Sequence, residues 1–237
     1  MSQRCAVVTG GGRNIGQAIA LRLQADGFRV VALDIVAPEA ESLRADARLV
    51  DLSDVGATEA ALGEIAARLP VGVLVNNVGL VAPAPFDAVD IGDFDRLMHL
   101  NVRTALVCAK ALVPGMRRLG GGRIIMNTSR VTLGKEARTL YSASKGAMQA
   151  MARTWALELG GDGITVNCVA PGPIGTTAFW QNNPPDSAYT RTLIASIPVG
   201  RMGTPEDVAN AVSFFADARA GFITGQTLFV CGGVTVG

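Results

Sequence analysis

Seven short runs of β-branched and apolar residues recur along this chain, most of them separated by stretches long enough for a helix. The runs are Cys5–Thr9, Arg29–Asp34, Ala47–Val50, Val71–Asn76, Arg123–Thr128, Thr165–Ala170 and Thr227–Val230. They show little polar alternation, which is the pattern of strands covered on both faces. Apolar spacing predicts helices at Ile15–Ala25, Val55–Leu69, Asp93–Leu119, Leu140–Leu159 and Pro205–Ala216. Parallel strands need such crossovers, so the expected fold is α/β, a doubly wound, mostly parallel seven-stranded sheet with helices on both faces. No repeat, low-complexity tract or linker divides residues 1–237, and one domain is expected. The irregular stretch Pro171–Pro198 holds Phe179, Trp180 and Tyr189, and a loop of that length in a compact domain reads as a lid, placed at about 173–198.

Composition narrows the function classes. The chain is 49% hydrophobic and 17% charged, with a net charge of +1, so charge alone points to neither a nucleic acid nor a membrane surface. Cys5, Cys108, Cys168 and Cys231 are scattered without metal-ligand spacing, and there is one histidine, so no metal site is expected. The start runs directly into a strand pattern, and no apolar stretch approaches membrane-spanning length. The expectation is a cytoplasmic protein acting on a small molecule.

Two regions carry the chemistry. The first is TGGGRNIG, between the Cys5–Thr9 run and a predicted helix. Glycine permits positive φ and close backbone approach, and a helix N-terminus offers free N–H groups to a pyrophosphate. Its spacing departs from G-x-G-x-x-G at Asn14, although asparagine tolerates left-handed angles better than most residues. Asp34 closes RVVALD eighteen residues after Gly16, the place for a carboxylate that accepts from ribose hydroxyls and repels a 2′-phosphate. Arg13 argues the other way, and the balance favours NAD over NADP. LVDLSD and LVNNVG add Asp51, Leu52, Asn76, Asn77 and Gly79 as further cofactor walls, although asparagine at a strand end is also an ordinary turn former.

The second region is YSASK, which puts Tyr141 and Lys145 on one helix face. A neighbouring ammonium favours phenolate, bringing a base with an ordinary pKa near ~10 towards the working range. Such a base is what hydride transfer from an alcohol needs.

Together with Asn101 in HLNVRT, Ser129 in IIMNTSR, NCVAPGPIGT and ITGQTLFVCGG, these motifs resemble the short-chain dehydrogenases/reductases over essentially the whole chain. The resemblance implies a Rossmann fold and an NAD(P)-dependent alcohol dehydrogenase or ketone reductase. It implies Tyr141 as acid/base, Lys145 lowering its pKa and binding the nicotinamide ribose, Ser129 on the substrate oxygen, and Asn101 holding a water-linked relay behind the lysine. On the cofactor it implies Gly10, Arg13, Asn14, Ile15, Gly16, Asp34, Asp51, Leu52, Asn77 and Gly79, then Pro171, Gly172, Ile174 and Thr176. It also implies a homotetramer. Three departures stand out: Asn14 replaces a glycine, Ser129 precedes Tyr141 by twelve positions where many relatives have one more, and Cys231 replaces the acid of the closing motif.

For the substrate, Leu80 and Val81, the Arg130–Arg138 loop, and Phe179 and Trp180 in the lid predict a pocket for a hydrophobic or aromatic secondary alcohol or ketone. Arg130, Lys135 and Arg138 either meet a carboxylate or face water. His99 sits in an apolar helical pattern and reads as a packed histidine. Two alternatives accompany the leading expectation: an NADPH-dependent 3-oxoacyl-thioester (acyl carrier protein) reductase, and a cofactor-binding sensor that has lost catalysis.

Overall fold

The computed structural model describes residues 4–236. Its strands are β1 (Cys5–Thr9), β2 (Arg29–Asp34), β3 (Arg48–Leu49), β4 (Val71–Asn76), β5 (Gly122–Asn127), β6 (Ile164–Pro171) and β7 (Thr227–Val230). They form one seven-stranded sheet in the order β3-β2-β1-β4-β5-β6-β7. Every neighbouring pair is parallel, so the expected mostly parallel sheet is parallel throughout. The order reverses between β1 and β4, and ligands of such sheets bind beyond the strand ends at that reversal.

Parity along β1 shows how the apolar runs are used. Cys5 and Val7 point into the core shared with α2 (Val55–Arg68), α4 (Thr104–Arg118) and α5 (Thr139–Leu159). Ala6 and Val8 point to the opposite side, against α1 (Asn14–Ala25) and α8 (Pro205–Ala216). A strand buried on both faces has no use for polar alternation, which is why these runs read as continuous. The third strand is shorter than Ala47–Val50, because it is the sheet edge, pairs only with Leu33 and Asp34, and leaves Leu49 exposed.

Two expected segments differ in kind. The single helix expected at Asp93–Leu119 is α3 (Gly92–Leu97), a π-helical stretch at Met98–Arg103, and α4. A widened turn of this type inside a helix is commonly found at functional sites. The lid is not irregular: it contains α6 (Thr177–Asn182) and α7 (Ala188–Ala195). Each of these short helices is started by a hydroxyl cap, Thr176 accepting from the Phe179 N–H and Ser187 from that of Thr190. Among the described residues no helix is long and apolar enough to cross a membrane.

Leu74, at the middle of β4, is completely buried in the larger core. Replacing it with alanine should cost about 3 kcal/mol in urea unfolding. A loss under about 1 kcal/mol would contradict this placement of β4.

Candidate active site

A cleft of about 580 Å³ opens at the carboxyl ends of β1, β2, β4, β5 and β6. Its first wall is the glycine turn between β1 and α1. Gly10 has φ +64°, and a Cβ there would stand 3.0 Å from the Asn77 amide nitrogen. A Cβ on Gly16 would meet the Gly10 carbonyl oxygen at 1.8 Å, so α1 starts in direct contact with the turn. Asn14 also has positive φ, at 48°, and occupies its glycine-like position without a break in α1. The N-cap residue Arg13 donates no side-chain cap, and the first turn of α1 carries no acid. The helix therefore presents uncapped N–H groups and an unopposed positive dipole end to the cleft.

Asp34 is fixed in front of this turn. One of its carboxylate oxygens accepts from the Gly12 N–H at 2.9 Å and the other from the Val36 N–H at 3.3 Å. Glycine is required at position 12 because a Cβ there would lie 2.9 Å from that carboxylate. Asp51 lies beyond it in the same wall, its carboxyl held below the usual range by hydrogen bonds from the Ser53 hydroxyl and N–H.

A connected set of side chains joins the turn to the opposite wall. The Thr9 hydroxyl accepts from the N–H groups of Asn77 (2.9 Å) and Val78 (3.1 Å), closing β1 onto β4. The Asn77 amide donates to the carbonyls of Thr9 and Gly10, and its own oxygen accepts from Asn127 at 2.7 Å. The main-chain oxygen of Asn127 in turn accepts from Lys145 Nζ at 2.7 Å. The ends of β1, β4 and β5, and with them α5, are thereby locked to the glycine turn.

Lys145 is buried, with no carboxylate of the described residues paired with its ammonium, and desolvation lowers its pKa to about 8. Its Nζ lies 5.7 Å from the centre of the Tyr141 ring. Gly79 makes room for it, since a Cβ there would stand 3.3 Å from Nζ and 3.0 Å from Asn101 Oδ1. Burial pushes the Tyr141 phenol up to about 12, against the pull of a hydrogen bond with Ser129 and of the Arg138 charge. The pull that opposes burial comes from Ser129 and Arg138, while the Lys145 ammonium is turned to the Asn127 carbonyl.

Asn101 is buried in the π-helical stretch behind the lysine. Its side chain clasps the main chain of Leu80, accepting from the N–H at 2.9 Å and donating to the carbonyl at 3.0 Å. It also donates to the Ser144 hydroxyl, which donates to the Tyr141 carbonyl. Ser144 and Thr9 were missed by sequence reasoning. Ser144 had a visible signal, a small hydroxyl between Tyr141 and Lys145 one helical turn from the tyrosine.

Of the residues expected on a cofactor, those from Gly10 to Thr176 line the cleft, as does Ser129, except Asn76, which is buried in β4 with its amide against Met126. Asn127, Thr128, Val78 and Leu100 join them without having been anticipated. Asn127 was legible only as a polar residue ending an apolar strand, and its buried Oδ1 has no hydrogen-bond partner among the described residues. The expected substrate residues are less well gathered. Val81 is in the cleft wall, whereas Leu80, Phe179 and Trp180 are not. Leu80 is drawn back by Asn101. Trp180 packs over Gly175, where a Cβ would lie 2.7 Å from the indole nitrogen, and Phe179 meets it edge-on at 5.0 Å. His99 also stands outside the cleft wall.

A profile described as Enoyl-(Acyl carrier protein) reductase matches residues 10–235. The chain is 35% identical over 243 residues to the (2S)-[(R)-hydroxy(phenyl)methyl]succinyl-CoA dehydrogenase subunit BbsD of Thauera aromatica, covering 98% of this chain and 97% of that one. It is 36% identical to the 3-oxoacyl-[acyl-carrier-protein] reductase FabG of Aggregatibacter actinomycetemcomitans, over 96% and 98% of the two chains. Among solved structures, a protein from Beutenbergia cavernae assigned as an NAD(P)-dependent gluconate 5-dehydrogenase, with bound NADP, superposes with a TM-score of 0.89. Its identity is 33%, over 99% of this chain and 97% of that one.

The buried ammonium has a thermodynamic signature. The folded pKa of Lys145 lies below its ordinary value of 10.5, so between pH 8 and 10.5 the unfolded chain binds more protons and stability rises with pH. Against a Lys145→Met variant, the wild type should gain stability across that window in urea melts, by up to about 3 kcal/mol. Parallel pH profiles for the two proteins would show that the lysine is not buried as a charge.

Proposed function

The chain belongs to the short-chain dehydrogenases/reductases, NAD(P)-dependent oxidoreductases, and from that premise we propose that it interconverts a secondary alcohol and its ketone with Tyr141 as acid/base. The observation that carries this reading is the convergence of Ser129, Tyr141 and Lys145 on one cleft whose other end is a glycine turn and a helix N-terminus. The residues fit a dinucleotide. Uncapped N–H groups of α1 suit the pyrophosphate, Asp34 suits the adenosine ribose hydroxyls, and Lys145 with the partnerless Asn127 Oδ1 lies where the nicotinamide half would reach. Bound there, the cofactor supplies the hydride acceptor or donor.

The chain's own residues handle the proton and the orientation. Ser129, placed by its bond from the Val131 N–H, offers a hydroxyl to the substrate oxygen. Tyr141 exchanges a proton with that same oxygen. A phenol held near 12 by burial needs added positive charge to give up its proton at neutral pH; that charge would come with the oxidised cofactor, and Lys145 lies in the cleft wall beside the ring. Asn101 acts at one remove, holding the Leu80 main chain and, through Ser144, the first turn of α5.

For the cofactor, the pinned Asp34 carboxylate supports NAD(H), since it fills the space where a 2′-phosphate would go and repels it. Exposed Arg13 in the same wall supports a second reading, NADPH-dependent reduction of a 3-oxoacyl thioester, as does the likeness to the acyl-carrier-protein reductase. Leu106 on α4 and Leu157 on α5 are exposed apolar residues on neighbouring helices, and a homotetramer would bury them.

Oxidation of NADH and NADPH should be followed against a panel of ketones and 3-oxoacyl thioesters. The reading expects NADH-linked turnover of a ketone that falls about 100-fold or more in Tyr141→Phe. Turnover that survives this substitution would remove the tyrosine from the mechanism. Asp34→Ser should move the NADH/NADPH preference about 10- to 100-fold towards NADPH. An unmoved preference would show that Asp34 does not read the ribose.

A further inference from the structure

The lid is joined to the rest of the protein by very little polar contact. Its base is secured by main chain, with Gly175 N donating to Gly203 O at 2.8 Å and Gly203 N to Pro173 O at 2.9 Å. Beyond that base, among the described residues, the hydrogen bonds of residues 177–196 remain inside the segment 176–197 with one exception. The exception is the Thr177 N–H, which donates at 2.9 Å to Asn14 Oδ1. None of the ion pairs of the described residues involves the segment. Across 163 positions of sequence, the lid's one outward polar tether thus ends on the glycine turn.

Asn14 combines two properties that no other residue type brings together as well. It occupies a left-handed backbone position, φ 48°, that favours glycine, and it carries an acceptor that glycine lacks. It also lines the cleft beside the uncapped start of α1. The geometry points to Asn14 as a positioning residue that couples the dinucleotide turn to the lid, so that a ligand ordering the turn also orders residues 177–196 over the substrate end. The coupling needs no new contact. It needs only that the turn and the tether share one residue, whose backbone faces the cofactor half and whose side chain holds the lid.

The donor can be removed cleanly. Thr177 is the first residue of α6, a position that favours proline, and Thr176 before it has φ −81° and ψ 163°, the extended backbone that a following proline requires. Thr177→Pro therefore deletes the N–H while respecting the local fold, and Asn14→Gly deletes the acceptor while keeping the left-handed angle. The lid contains one trypsin site, the exposed Arg191. Cleavage there reads lid order without any turnover, so failure of this inference is distinguishable from failure of the proposed activity; its NADH arm rests on the proposed cofactor, which the binding curve tests separately, and its substrate arm on the proposed reaction.

Cleavage at Arg191 should be followed for wild type, Asn14→Gly, Thr177→Pro and the double variant, each alone and at a saturating NADH concentration set from its own binding curve. In wild type NADH should slow cleavage. In each single variant cleavage without NADH should be about 2- to 10-fold faster, the worth of one net hydrogen bond. The protection by NADH should be lost, and the double variant should behave like either single one. With a ketone turned over by the enzyme, Thr177→Pro should raise KM by a similar factor while kcat holds. The inference is overturned if Asn14→Gly is cut at the wild-type rate, if the two single effects add in the double variant, or if NADH protects the variants as it protects wild type.

Discussion

The hydrogen bond from the Lys145 ammonium to the main-chain oxygen of Asn127 is the point from which the rest of this site is held. It fixes α5 to the end of β5, and the Asn127 amide carries the connection to Asn77, to the Thr9 and Gly10 carbonyls, and so to the start of α1. A buried charge without a counter-ion is costly, and here one short charge-assisted bond offsets part of that cost. The consequence is an ammonium at about 8 beside a phenol at about 12, both displaced by burial in directions that disfavour their charged forms. In the protein alone burial thus favours the neutral phenol at Tyr141. A positive charge entering the cleft would pull the phenol down.

Glycine and asparagine divide the work of bringing backbone close to that centre. Gly12, Gly16 and Gly79 stand where a methyl group would collide with Asp34, with the turn and with Asn101. Asn77 and Asn101 have side chains that both donate and accept, so that Asn77 joins the Thr9 and Gly10 carbonyls to Asn127 while Asn101 clasps the main chain of Leu80. By contrast, the ion pairs of the described residues are at the surface, Arg29–Asp46 and Arg117–Asp162 among them, and such pairs contribute little to stability.

The order of strands and helices was legible because both faces of the sheet are buried, so β1 and β4 read as unbroken apolar runs. The glycine turn, Asp34 and the Tyr141–Lys145 pair were legible because their chemistry depends on spacing within one element. What depended on distant partners was not. The widened turn at Met98–Arg103 carries Asn101, which reaches Leu80 and Ser144, contacts that no periodicity records. The lid read as a loop because its prolines and polar residues hide two capped helices of one to two turns. The packing of Trp180 over the bare backbone of Gly175, and of Phe179 against it, left no mark in composition. The lysine's effect on the phenol was inferred from one helix, whereas the Asn127 carbonyl that holds the ammonium comes from another strand.

The chain contains two tyrosines, Tyr141 and Tyr189, so a Tyr189→Phe protein reports Tyr141 ionisation alone by ultraviolet difference spectroscopy. Without cofactor, the folded protein should show no phenolate up to about pH 10.5, in keeping with a pKa of about 12. With saturating NAD+, the ionisation should move below about pH 9, as the base of an alcohol oxidation requires. A phenol that titrates at its ordinary value near 10 and stays there when NAD+ binds would contradict the account.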